Sequence, residues 1–158
     1  MSEQSFINII NKHLTGDSQR NALDFIAFCT ANGIRLAFNN RDNNGGDFGN
    51  DVGTIWINDD ADNSDRPYVI FFNYRDFGGE DSVDNGLKES VWANVNTCLR
   101  CHPGWETCGG GNDVVFFGRT FENTCNCPLA FTDPDNNDLE NIKKLLLNYN
   151  HDTGGNHA

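Results

Sequence analysis

The sequence predicts an α+β fold: a single domain in which an antiparallel sheet is flanked by helices. Three observations lead there. Segments with helical apolar spacing lie at both ends of the chain, several short runs of β-branched and aromatic residues lie between them, and no regular strand–helix alternation appears. A chain of 158 residues suits one domain, large enough to bury roughly two thirds of its unfolded surface.

The opening segment places Phe6, Ile9, Ile10, His13 and Leu14 on one helical face, with His13 as a helix-end residue. A second helix is expected to start at Asp17 or Ser18, either of which can cap free backbone N–H groups. Its apolar face is Ala22, Leu23, Phe25, Ile26 and Cys29, and Gly33 is its left-handed stop. Cys29 is thereby read as a small core hydrophobe.

Strands are expected over residues 34–38, 54–58 and 68–74, forming an antiparallel meander. The last is apolar at nearly every position, as in a central strand covered on both faces. The Asp- and Asn-rich stretches at residues 39–51 and 58–65 read as solvated loops between them. Residues 84–95 then give a third helix with Leu87, Val91 and Val95 inward. A hairpin of residues 113–117 and 120–121 follows, turning at Gly118-Arg119, and then a short extended piece at 128–131. Asp133-Pro134 supplies an N-cap and a first-turn proline for a last helix with Leu139, Ile142, Leu146 and Tyr149 inward. The domain is expected to span residues 1–149, with 150–158 a polar tail whose His151 and His157 face solvent.

A net charge of −12 argues against a nucleic-acid partner, which needs clustered Lys and Arg; Lys143-Lys144 is the lone basic pair. No run of about 18 apolar residues suggests a membrane span. The first residues lack a basic segment, an apolar stretch and a small-residue cleavage site, so a cytoplasmic protein is expected. In that reducing compartment clustered cysteines favour metal binding or catalysis over structural disulfides.

The chemistry concentrates in one segment. Five of the six cysteines lie between residues 98 and 127: Cys98-x-x-Cys101, Cys108 and Cys125-x-Cys127, with His102 after the second. The leading reading is a structural zinc site, because zinc takes four soft or borderline ligands and a Cys-x-x-Cys turn offers two thiolates to one ion. Cys98, Cys101 and Cys125 form the expected core of the ligand set, with the fourth ligand open among Cys108, Cys127 and His102.

Two other readings use the same atoms. The Cys98/Cys101 pair is the alternative as a dithiol–disulfide couple or redox switch, although Cys98 follows a helix instead of preceding one. Cys98-Leu99-Arg100-Cys101-His102 also matches the c-type haem attachment signature, ranked lower because Met1 is the only methionine. Calcium patterns fare worse: residues 45–51 miss the Gly-Gly-x-Gly-x-Asp spacing, and residues 60–64 lack the glycine and glutamate that complete an EF-hand loop. There is no Gly-x-Ser-x-Gly elbow, phosphate loop or His-Glu-x-x-His helix. No catalytic residue is therefore assigned. Trp56, Trp92, Trp105 and Phe116-Phe117 are candidates to line a pocket for a small molecule.

Phe117-Gly118-Arg119-Thr120-Phe121-Glu122-Asn123-Thr124-Cys125 and Phe131-Thr132-Asp133-Pro134 resemble the C-terminal part of small cysteine-containing bacterial proteins of Firmicutes type. Those typically carry Phe-Gly-Lys where this chain has Arg119. The resemblance covers residues 98–147, about a third of the chain. It implies a family with variable upstream cysteines and no established activity, and it transfers no catalytic residue. The expectation is a soluble binding or interaction module, its partner a protein or a small molecule.

Overall fold

Ser2 starts the first helix by accepting the Ser5 N–H on its Oγ at 3.1 Å, which satisfies one of the donors a helix start leaves open. Helix α1 (Glu3–His13) buries Phe6 and Ile10, and Leu14 closes its end through an N–H to the Ile10 carbonyl at 2.8 Å. Helix α2 (Gly16–Ala31) begins ahead of both expected capping residues, Asp17 and Ser18, after a Thr15 that makes no side-chain cap bond. It buries Ala22, Phe25, Ile26 and Cys29, and Gly33 takes φ +66 at its end as expected.

The computed structural model describes residues 1–39, 44–59, 65–73, 77–98 and 110–154, with the backbone alone at 39 and at 150–154. By its contacts the chain forms two compact units, Met1–Phe72 with Phe131–Leu139, and Asn73–Ala130 with Glu140–Ala158. The described strands form a seven-stranded antiparallel sheet in the order β1-β2-β3-β4-β7-β5, with β6 pairing β7 off that path. The α+β class read from the sequence is the class of the structure.

In the first unit, β1 (Leu36–Asn39), β2 (Gly45–Phe48), β3 (Gly53–Ile57) and β4 (Tyr68–Phe72) make the expected antiparallel meander with one strand more than anticipated. That strand is β2, inside the stretch read as a solvated loop. Its glycines hide it from propensity, yet Gly46 is what its neighbour Phe38 needs. A Cβ on Gly46 would come within 3.0 Å of the Phe38 ring, and one on Gly45 within 3.4 Å of Trp56. β4 also corrects the reading: Tyr68, Ile70 and Phe72 are buried while Val69 and Phe71 are half-buried, so only one face is fully covered. Phe48 lies between Phe25 and Phe72 at ring-centroid distances of 5.2 and 5.3 Å, and Phe72 meets Phe131 at 6.0 Å. This aromatic row is the centre of the unit's core.

In the second unit, Asp84 caps α3 (Asn85–Ala93) by accepting the Leu87 N–H at 2.8 Å, and Leu87 and Val91 are buried as expected. That backbone hydrogen bond, with Lys144 beside it, holds the Asp84 carboxyl below its usual range. The helix stops two residues before Val95, which belongs instead to the short strand β5 (Val95–Thr97). β6 (Asn112–Phe116) and β7 (Arg119–Thr132) form the expected hairpin, but it turns at Phe117-Gly118, not Gly118-Arg119. Phe117 and Gly118 have φ +50 and +80, the signs a tight two-residue hairpin turn requires. A phenylalanine at positive φ is disfavoured, and burial of its ring to 2% exposure offsets the strain.

β7 absorbs both the short strand and the separate extended piece read from the sequence. Helix α4 (Asn136–Gly154) follows, and its N-terminus is capped by Asp135, whose carboxylate accepts the Asp138 N–H at 2.8 Å, instead of by Asp133. Asp133 sits at φ +44 outside the helix, so Pro134 precedes the cap. Leu139, Ile142, Leu145 and Leu146 are buried and Tyr149 is half-buried. The helical backbone runs past residue 150 into the stretch read as a tail. Asp135→Ala is expected to lower stability by about 1 kcal/mol, and Asp133→Asn by less than half of that, in urea unfolding.

Candidate functional site

The cysteines read as ligands fall into two groups. Cys98, Cys125 and Cys127 are described and half-buried, all in the second unit, whereas Cys101, His102 and Cys108 lie outside the described residues. The haem-type signature and the Cys98/Cys101 pair therefore have one described cysteine each. Trp105 and the calcium-like residues 60–64 also lie outside the described residues.

The described cysteines sit where the β5–β7 ladder breaks. Val95 pairs with Leu129 and Thr97 with Thr124, so between those pairs β5 has Asn96 alone while β7 has Cys125, Asn126, Cys127 and Pro128. Four residues opposite one push the Cys-x-Cys-Pro stretch out of register as a wide bulge. Pro128 explains part of this, since it brings no N–H to the ladder. Asn96 ties the excursion back, its Nδ2 donating to the Cys127 carbonyl at 3.1 Å, and the Cys127 thiol donates to Asn73 Oδ1 at 3.6 Å.

Cys98 is fixed from both sides. Its N–H donates to the Asn123 carbonyl at 2.8 Å, and Asn123 Nδ2 donates to the Cys98 carbonyl at 3.3 Å. Asn123 has φ +54, a conformation Asn tolerates better than most residues, and its own N–H donates to Asp113 Oδ1 at 3.2 Å. Further along, the Gly111 N–H donates to the Thr124 carbonyl at 2.8 Å, and the buried Thr124 hydroxyl donates to the Asn112 carbonyl at 2.9 Å. Both ends of the stretch carrying Cys101, His102 and Cys108 are thus bonded to adjacent residues of β7, immediately before Cys125.

Among the described residues, no group of three or more His, Cys, Asp or Glu side chains is placed to hold a metal ion. Cys98, Cys125 and Cys127 share a neighbourhood through the backbone without forming such a group. Cys29 belongs to the first unit and has no exposed surface, as expected of a core hydrophobe, and burial pushes its thiol up to about 12, which makes it chemically inert. Asp47, in the calcium-like stretch, accepts a hydrogen bond from Thr54 at 2.7 Å.

The aromatics have packing partners. Phe116 and Phe117 are buried, Trp92 Nε1 donates to the Phe116 carbonyl at 2.8 Å, and the Arg119 guanidinium lies 5.6 Å from the Trp92 ring centre and 5.0 Å from that of Phe121. Sequence reasoning missed the amides: Asn96 and Asn123, which hold the Cys127 and Cys98 carbonyls, and Asn73, which accepts from the Cys127 thiol. Asn was read only as a loop former, and the visible signal was Cys-x-Cys followed by Pro, a pattern that cannot continue a regular ladder.

No helix among the described residues is long and apolar enough to cross a membrane. No protein-family model matches the chain, and neither a curated protein nor a solved structure matches it.

Proposed function

We propose that the chain is a binding or interaction module stabilised by structural zinc, held by Cys98, Cys101 and Cys125 with one of Cys108, Cys127 or His102 completing the set. The observation that carries this reading is the pair of backbone bonds from Cys98 to Asn123 and from Gly111 to Thr124, next to the bulge that displaces Cys125 from the ladder. The donor chemistry also suits zinc, since thiolates and imidazole are its preferred ligands. Cys127 would have to give up its S–H donation to Asn73 to become a thiolate ligand, which favours Cys108 or His102 as the fourth. The resemblance to the Firmicutes-type proteins is part of the same proposal, as is a reducing, cytoplasmic setting in which the thiols persist.

Metal analysis of protein produced without added zinc tests this reading. About one equivalent of zinc is expected, falling to near zero in Cys98→Ser and Cys125→Ser. Less than about 0.2 equivalents of any transition metal, with the cluster thiols all titratable in the folded state, would overturn it.

A further inference from the structure

β1 ends the sheet, and its outer side carries a specific pattern of backbone groups. The Gly49 N–H donates to the Arg35 carbonyl at 2.9 Å, and the register pairs Leu36 with Phe48. Residues 35 and 49 are therefore a hydrogen-bonded pair, and by alternation so are Ala37 with Asp47 and Asn39 with Gly45. The N–H and C=O groups of Leu36 and Phe38 point the other way, and among the described residues no strand pairs with them. Natural edges are kept short or blunted by Lys, Pro or a bulge, and β1 is short at four residues. Leu36-Ala37-Phe38-Asn39 carries no Lys, Pro or bulge that would close its outer side.

A groove of about 620 Å³ runs along this edge, lined among others by Glu3, Thr30, Ile34, Leu36 and Phe38. Its two sides differ. Phe38 stacks on Phe6 of α1 at 4.9 Å, so Leu36 and Phe38 face the helices, and strand alternation turns Arg35 and Ala37 to the opposite side. Glu3 is thus the acidic group of the helix-facing side, held by a hydrogen bond from the Thr30 hydroxyl at 3.2 Å. A long basic side chain could lay its stem on Leu36 and Phe38 and bring its head to Glu3.

We propose that the outer edge of β1 takes up an extended peptide as an added strand, with a Lys or Arg of that peptide crossing Leu36 and Phe38 toward Glu3. The open backbone groups specify a strand, and the alternation of the groove specifies which of its side chains faces Glu3. The chain's net charge of −12 attracts a basic peptide and repels a second copy of itself.

The test adds the peptide acetyl-TVKVT-amide to the full chain and follows amide hydrogen exchange by NMR. At about ten times the dissociation constant, exchange at Leu36 and Phe38 is expected to slow roughly tenfold while Ala37, already bonded to Asp47, is unchanged. Replacing the peptide's Lys by Glu, or Glu3 by Gln in the protein, is expected to weaken binding about threefold or more. Leu36→Pro removes one outward N–H and no bond to β2, so it is expected to abolish binding with the fold retained. Unchanged Leu36 and Phe38 exchange at about 5 mM peptide overturns the proposal, as does equal binding of the Lys and Glu peptides. Protection that rises with protein concentration alone assigns the edge to a second copy and overturns it too.

Discussion

Gly53→Ala is expected to lower the stability of the chain by about 3 kcal/mol or more, Gly53 being the glycine among the described residues where an added methyl would meet its nearest neighbour most closely. Gly53 opens β3 and pairs with Phe48 on one side and Phe72 on the other. A Cβ there would overlap the Phe71 carbonyl oxygen and the Phe48 ring, approaching Phe48 Cε2 to 2.9 Å. Neither neighbour can yield. The carbonyl belongs to the backbone of β4, and Phe48 has no exposed surface and is held between Phe25 and Phe72. Gly45→Ala is the control: its Cβ would meet Trp56 at 3.4 Å, and that ring is half-buried, so a change within about 1 kcal/mol is expected. Urea midpoints at constant slope read both variants. If Gly53→Ala falls within about 1 kcal/mol of the parent, the packing described around Phe48 is wrong.

The same glycines show why the sequence reveals the frame of this fold and hides part of its sheet. Helical spacing of Phe6, Ile10 and Leu14, of Phe25, Ile26 and Cys29, and of Leu139, Ile142 and Leu146 identifies three helices by the residues they bury. Those positions obey a local rule that needs no partner. β2 obeys none: Gly45 and Gly46 have poor strand propensity, and the value of Gly46 lies in the space it leaves for Phe38 on the neighbouring strand. The length of β7 was equally obscure, because Pro128 and the polar Glu122-Asn123-Thr124 stretch read as breaks, while in the structure they mark bulges within one strand.

For the candidate site, the sequence identified the cysteines and the hairpin that carries two of them. What ties Cys98 to Asn123, Gly111 to Thr124 and the Cys127 carbonyl to Asn96 is a set of backbone and amide bonds. Spacing between cysteines carries no trace of these, because the contacts are made by residues that look like turn formers. The open edge at β1 was hidden for a related reason: the order of strands in a sheet is a non-local property.

Cys29 is expected to make stability fall steeply in alkali, and Cys29→Ala to remove that fall. Burial in α2 raises its pKa from 9.0 to about 12, so the folded chain favours the protonated thiol. The resulting stability is complete below the unfolded value of 9.0 and is lost as pH rises toward about 12. The slope is about 1.4 kcal/mol per pH unit, which gives roughly 2 kcal/mol by pH 10.5. At pH 7 the alanine variant should be less stable by about 1 kcal/mol, because the thiol fills core volume. The two stability curves should therefore cross between about pH 9 and 11, with Tyr and Lys titrations common to both proteins and cancelling in the difference. A difference between parent and variant that stays constant from pH 7 to about 10.5 would refute the burial assigned to Cys29. The same burial separates this thiol from the others. In native protein a thiol reagent should spare Cys29, so any thiol it masks and unfolding releases beyond that one belongs to the 98–127 segment and to whatever holds it.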